Sequence, residues 1–180
     1  MRATGIVRRI DDLGRIVLPK EIRKNLKIKE GDMLEIYVQD NGVIMLEKYE
    51  PMDNLAKLAD QYVDVISNMS DLNVCITTDS YVISAAGKSK KGYLRKDLSQ
   101  EVMDILEERA VWSTKNDHVI SLLKNDDKSK YSSQIIIPII DEGDVIGSVI
   151  AFSTDSRVAI KDSDISVIKL AVLLLEKQME

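Results

Sequence analysis

Between Gly14 and Asp32 the chain reads GRIVLPKEIRKNLKIKEGD, and the residues there with chemistry to offer are cations. Residues 1–29 hold nine of them, Arg2, Arg8, Arg9, Arg15, Lys20, Arg23, Lys24, Lys27 and Lys29, against Asp11, Asp12 and Glu21, a net +6. The whole chain has a formal net charge of -5, so residues 30–180 carry -11. A basic segment on an acidic body suits capture of a polyanion, with nucleic acid the commonest partner. A bare run of charge is as well explained by a solvated face, so the arrangement of the cations has to carry the case.

Residues for catalysis are scarce. Cys75 is the sole cysteine and His118 the sole histidine. Thiol redox chemistry needs an attacking cysteine and usually a resolving partner, and structural zinc wants about four His or Cys ligands. Cys75 lies in the apolar run NVCITTD, where it reads as a small buried hydrophobe. The pairs Asp126-Asp127 and Glu107-Glu108 read as solvated surface. No catalytic residue, metal or cofactor is therefore expected.

The cations must be positioned by local elements. TGIVRRID reads as a strand, DDLG as a turn in which Gly14 can take positive φ, and RIVLP as a second strand whose Ile16, Val17 and Leu18 enter a core. Pro19 suits the first position of a helix, PKEIRKNLKI, with Glu21 in its first turn and Ile22 and Leu26 on one face. MLEIYVQ and GVIMLEKY then form a hairpin around Asp40-Asn41-Gly42. This head, residues 1–50, is too short to bury a sizeable core alone, which makes an intertwined dimer physically reasonable. Arg15 follows the turn glycine and projects from the sheet. No helix here is long enough to fill a major groove, so arginine contacts and DNA shape are expected to supply selectivity.

After Pro51 the period changes. Met52, Leu55, Ala59, Tyr62, Ile66 and Met69 form an a/d seam within a linker helix, residues 51–71, that packs on another helix or docks on its own domain. Residues 72–180 read as a compact α/β domain. Strands are expected at NVCITTD, YVISAAG, HVISLLK, SSQIIIPII and DVIGSVIAFSTD, and helices at SQEVMDILEERAV and from 162 to 179. The last helix carries Ile165, Ile168, Val172 and Leu175 on one stripe with Val167, Ala171 and Leu174 beside it, so it needs cover on two sides. The expected oligomerisation residues are Leu55, Ala59, Tyr62, Ile66, Ile168, Val172 and Leu175. No run of 18 apolar residues and no signal-peptide pattern is present, so no membrane association and a cytoplasmic location are expected.

TGIVRRIDDLGRIVLPKEIRKNLKIKEGDMLEIYV resembles the DNA-binding domain of the AbrB family of transition-state regulators. The resemblance implies a swapped-hairpin barrel built by two chains, in which Arg8, Arg15, Arg23 and Lys24 contact double-stranded DNA and Arg9 assists. Lys24 stands where the family often has Arg, keeping the charge without the bidentate fork. From about residue 53 the pattern, and the segment PII…GDVIGSVIAFS, resemble a GAF domain, the small-molecule sensor fold. The implied fold class is α+β, a swapped-hairpin barrel joined by a helix to a GAF-like domain. The implied function is activation and repression of sporulation genes by a homo-oligomer, a dimer through the heads and a tetramer through the GAF helices. A small-molecule effector would be gripped by Ser89, Lys90, Lys91 and Tyr93. Two alternatives remain at this point, an antitoxin-like protein-interaction module and a GAF-type redox enzyme. The folded character of the tail argues against the first, since antitoxins usually end in a disordered acidic segment.

Overall fold

A computed structural model describes residues 5–49, 56–88, 90–115 and 118–178, and the chain divides into two units, residues 1–49 and 50–180. In the first unit, helix α1 (Lys20–Asn25) begins behind Pro19, whose φ of -58° and ψ of 145° make it the cap rather than the first helical residue. Glu21 in the first turn and Arg23 and Lys24 in the last complement the helix dipole. Strands β1 (Leu34–Val38) and β2 (Ile44–Lys48) pair antiparallel, with Ile36 opposite Leu46. Asn41 shapes their turn by accepting the Val43 N–H at 3.1 Å.

This unit has elements but no interior. None of its described residues is buried, and Ile36, Val38, Ile44 and Leu46 share one exposed face of the hairpin. The strands expected at TGIVRRID and RIVLP do not form a ladder. Asp11 donates its N–H to the Arg15 carbonyl at 3.1 Å, but the described residues flanking the turn belong to no strand. Ile16 and Val17, expected in a core, are 51% and 74% exposed. The reason is the same in both cases, since one chain supplies neither the partner strand nor the covering layer.

The second unit holds a five-stranded antiparallel sheet in the order β4-β3-β7-β6-β5. Its elements are α2 (Ala56–Ser70), β3 (Asn73–Thr78), β4 (Val82–Ala86), α3 (Lys90–Tyr93), α4 (Gln100–Glu107), β5 (Trp112–Ser113), β6 (Ser133–Asp141), β7 (Asp144–Ser153) and α5 (Asp162–Lys177). Strand periodicity splits the core in two. Val74, Ile76, Ile135, Ile137, Ile139, Val149 and Ala151 meet α2 and α5 on one face. Cys75, Ile136, Ile150 and Phe152 meet Tyr93, Leu98, Val102, Leu106 and Tyr131 on the other. Burial on both faces is why β3 and β6 read as nearly unbroken apolar runs. Glu142 and Gly143, both at positive φ, close the two-residue hairpin between β6 and β7.

Three expectations are corrected here. Residues 118–124 do not form a strand. Apart from one bridge, Leu98 with Leu123, this segment is held by side chains: the Gln134 amide accepts the Ile120 N–H at 2.9 Å and donates to the Ile120 carbonyl at 2.8 Å, and the Glu101 carboxylate accepts the Ser121 N–H at 3.0 Å. The seam of α2 is shifted, with Ala59, Val63 and Ile66 as its buried stripe and Met69 exposed, and of the two partners expected for this helix it meets its own domain. Consequently Ala59, Ile66, Ile168, Val172 and Leu175 lie in the interior of their own unit, with Tyr62 packed beside them, and are not free to meet a partner. Leu55 lies outside the described residues.

Gly87, at φ +102° after β4, is fixed by a close approach, since a Cβ would stand 2.7 Å from Asn73 Oδ1 and 2.9 Å from Asn73 Cα. Gly87→Ala combines that clash with left-handed strain and should cost at least about 2 kcal/mol. Thermal unfolding of the full chain should show a lower midpoint, whereas an unchanged midpoint would mean the backbone relaxes freely there.

Candidate nucleic-acid interface

Arg15 is set by the turn that precedes it. The Asp11 carboxylate accepts the Leu13 N–H at 3.0 Å and the Arg15 N–H at 2.8 Å, while Gly14, at φ +78°, donates to the Asp11 carbonyl at 3.0 Å. The same carboxylate takes the Arg15 Nε–H at 2.7 Å. The guanidinium is therefore held through one edge, and its terminal nitrogens remain available to an anion.

The other cations are arranged separately. Arg23, half-buried on α1, donates Nε to the Leu18 carbonyl at 3.3 Å, and Lys24 beside it is exposed. Arg8 donates to the Val7 carbonyl at 2.9 Å, and Arg8 and Arg9 are exposed on the extended segment entering the turn. Among the described residues no hydrogen bond links one of these five to another. What unites them is their position on one short path, the entering segment, the turn and the helix that follows.

Two residues were not singled out from the sequence. Asp11 counts there only as one of the few acids in a basic run, yet it orders the turn and aims Arg15. Its local signal was an Asp three residues before a glycine, the pattern of a side-chain-capped turn. Asp32 accepts the Lys29 N–H at 2.8 Å and pairs with Lys48 at 3.7 Å, tying the segment after α1 to β2.

The expected effector residues belong to the second unit. Lys90 and Lys91 are exposed on α3, whereas Tyr93 is buried with its hydroxyl 3.0 Å from that of Tyr131. Ser89 lies outside the described residues. Cys75 is buried, and burial pushes its thiol pKa far above the ordinary value, so it has no thiolate character. Among the described residues no group of three or more His, Cys, Asp or Glu is placed to hold a metal ion.

The sheet and helices of the second unit define a GAF-type fold. They match the GAF domain of an Acinetobacter phosphoenolpyruvate-protein phosphotransferase with a TM-score of 0.56 at 11% identity, covering 69% of this chain and 81% of that chain. The N-terminal part is similar in sequence to the transition state regulatory protein AbrB of Bacillus subtilis (strain 168), 41% identical over 87 residues, 48% of this chain and 81% of that protein. Residues 7–53 also match a family model described as antidote-toxin recognition MazE, bacterial antitoxin. Residues 54–180 match the model described as stage V sporulation protein T C-terminal, transcription factor. Over 180 residues, 100% of this chain and 99% of the relative, the sequence is 38% identical to stage V sporulation protein T of Bacillus subtilis (strain 168). The chain belongs to the stage V sporulation protein T family.

The hydrogen bonds from the Arg15 backbone, then from its side chain, hold the Asp11 carboxyl below its ordinary pKa of 3.8. A depressed carboxylate stabilises the turn fully above the ordinary value, and that contribution is lost as pH falls through the lowered pKa. Carboxyl NMR titration should therefore place Asp11 below 3.8. Asp11→Ala makes the head more basic, yet it should weaken binding to duplex DNA by roughly fivefold, the worth of about one hydrogen-bonded turn. Tighter binding would show that Asp11 merely subtracts charge.

Proposed function

We propose that this chain is a DNA-binding regulator of transcription acting on sporulation genes, activating some and repressing others. The observation that carries the reading is Arg15, fixed through one edge at an ordered turn that leads into the cationic helix α1. Arg8, Arg9, Arg23 and Lys24 add charge along the same path, and two copies of the set could neutralise several phosphates on one face of a duplex. The protein acts in the cytoplasm. No helix among the described residues is long and apolar enough to cross a membrane.

Two heads associate through their unburied apolar surface, interleaving hairpins so that Ile16, Val17, Ile36, Val38, Ile44 and Leu46 become the core that one chain lacks. The head spans residues 1–50, and the tail extends the assembly to a tetramer through its helices. The residues for that contact are the exposed ones, Leu170, Leu173 and Leu174 of α5 with Val65 and Met69 of α2, in place of the stripe expected from the sequence. The tail also accepts a small-molecule effector at Lys90 and Lys91.

The match of residues 7–53 to an antitoxin model favours one second reading, a head that serves as a protein-interaction module. Anisotropy of a labelled promoter-sized duplex across a salt series separates the two. Wild type should bind with a log–log salt slope of roughly -0.9 per phosphate neutralised. Arg15→Ala should lose about tenfold or more in affinity and flatten the slope. Ile36→Asp, placed on the uncovered face, should abolish binding while the tail unfolds at its usual temperature. A wild type indifferent to DNA at low salt would leave the interaction-module reading.

A further inference from the structure

On the α3 side of the sheet lies an open groove of about 620 Å³ lined by Lys88, Lys90, Lys91, Gly92, Tyr93, Lys130 and Thr154. That volume is in the range of small-molecule sites. Four of the lining residues are lysines and none is a carboxylate, in a stretch, residues 30–180, that carries a net -11. Among the described residues no ion pair engages Lys90 or Lys91, and both side chains are exposed. Nearby Asp155 pairs with Arg157, at 3.0 Å and 2.8 Å, and also interacts electrostatically with Lys88.

Lys130 is the best ordered of the four. Its ammonium lies 5.0 Å and 4.9 Å from the ring centroids of Tyr93 and Tyr131, and both rings pack on Phe152, with centroids 4.7 Å and 5.3 Å away. Its hydrogen-bond partners are Asp126, with Nζ 2.5 Å from Oδ1, and the Tyr93 hydroxyl, while the other Asp126 oxygen accepts the Tyr131 hydroxyl. An ammonium has three donors, so after Asp126 and Tyr93 are satisfied one can still face the groove. The charge stands on a fixed aromatic platform, and little conformational entropy is lost when an anion meets it.

From this arrangement we propose that the groove binds a small polyanion carrying two or more phosphoryl groups, one held by Lys130 and the next by Lys90 and Lys91, with Lys88 at the rim. This deepens the reading of the tail as an effector-binding unit and is independent of DNA binding by the head. The polyphosphate is what the site recognises. Tyr93 and Tyr131 are buried and already covered by Lys130, so they offer no open ring face on which a base could stack. Phe152 fills the sheet beneath them, so the ligand stays at the surface.

Calorimetric titration of the full-length chain with inorganic tripolyphosphate, and in parallel with a nucleoside triphosphate, tests the proposal. Both should bind, and the Lys90→Glu/Lys91→Glu variant and Lys130→Met should each weaken binding about tenfold or more. Equal affinities identify free polyphosphate as sufficient, and a tighter nucleotide adds a contact to the rest of the molecule; either agrees with the site. Lys90 and Lys91 are exposed, so their reversal should leave the unfolding midpoint unchanged, and Lys130→Met keeps the stem on the two rings. Absence of heat with both ligands overturns the proposal. So does binding that survives both groove variants but is lost in Arg15→Ala/Arg23→Ala, which would assign the anion to the head. Loss of duplex affinity in the Lys90→Glu/Lys91→Glu variant, with no change toward tripolyphosphate, would make the groove a DNA contact instead. The proposed regulator function fails separately, when wild type does not bind DNA.

Discussion

Apolar surface that a single chain cannot cover is the constraint on which the head depends. Its hairpin, turn and helix close their hydrogen bonds locally, yet no described side chain among residues 5–49 reaches a buried state. Local hydrogen bonding sets the shape of such a module but contributes little net stability, because the unfolded chain makes the same bonds to water. The missing stabilisation has to come from burial, at roughly 25 cal/mol per Å² of apolar area. The tail is built oppositely, with a sheet that is apolar on both faces and covered on both by its own helices and loops.

The two units also divide the electrostatics. The head holds its cations at exposed and half-exposed positions and uses two of its acids as fasteners, Asp11 on the turn and Asp32 between the segment after α1 and the hairpin. An acid at Asp11 lowers the net charge but fixes the direction of one guanidinium. A directed arginine discriminates among phosphate geometries in a way that a free one on a flexible stem does not. In the tail the lysines of the groove are similarly unequal, with Lys130 held by aromatic rings and a carboxylate while Lys90 and Lys91 stay solvated.

Much of this was legible in the sequence where the physics is local or repetitive. The hairpin around Asn41-Gly42, the helix after Pro19 and the runs at β3, β6 and β7 all follow from turn chemistry and period. HVISLLK shows where that logic stops. A short apolar run has the pattern of a buried strand whether its backbone is satisfied by a neighbouring strand or, as here, by the side-chain amide of Gln134, fourteen residues beyond Ile120. The register of the α2 seam differs from expectation for a related reason. Residues at spacings of three and four can be rotated by part of a turn and still look periodic, and only the sheet beneath decides that Val63 faces inward and Met69 outward. Asp11 was missed because composition counts a carboxylate by sign, while its role is set by which N–H groups point at it.

The empty interior of the head has a consequence for dosage. A module completed by a second copy folds as it associates, so its active fraction is a function of protein concentration as well as of intrinsic stability. Covalent attachment to a tail that assembles as proposed would change that dependence. Two heads carried on associated tails would meet at an effective concentration set by the connection between them and no longer by the bulk concentration of the protein. Such a tail would make the amount of working head insensitive to copy number over the range in which the tails stay together, and would make it fall abruptly below that range.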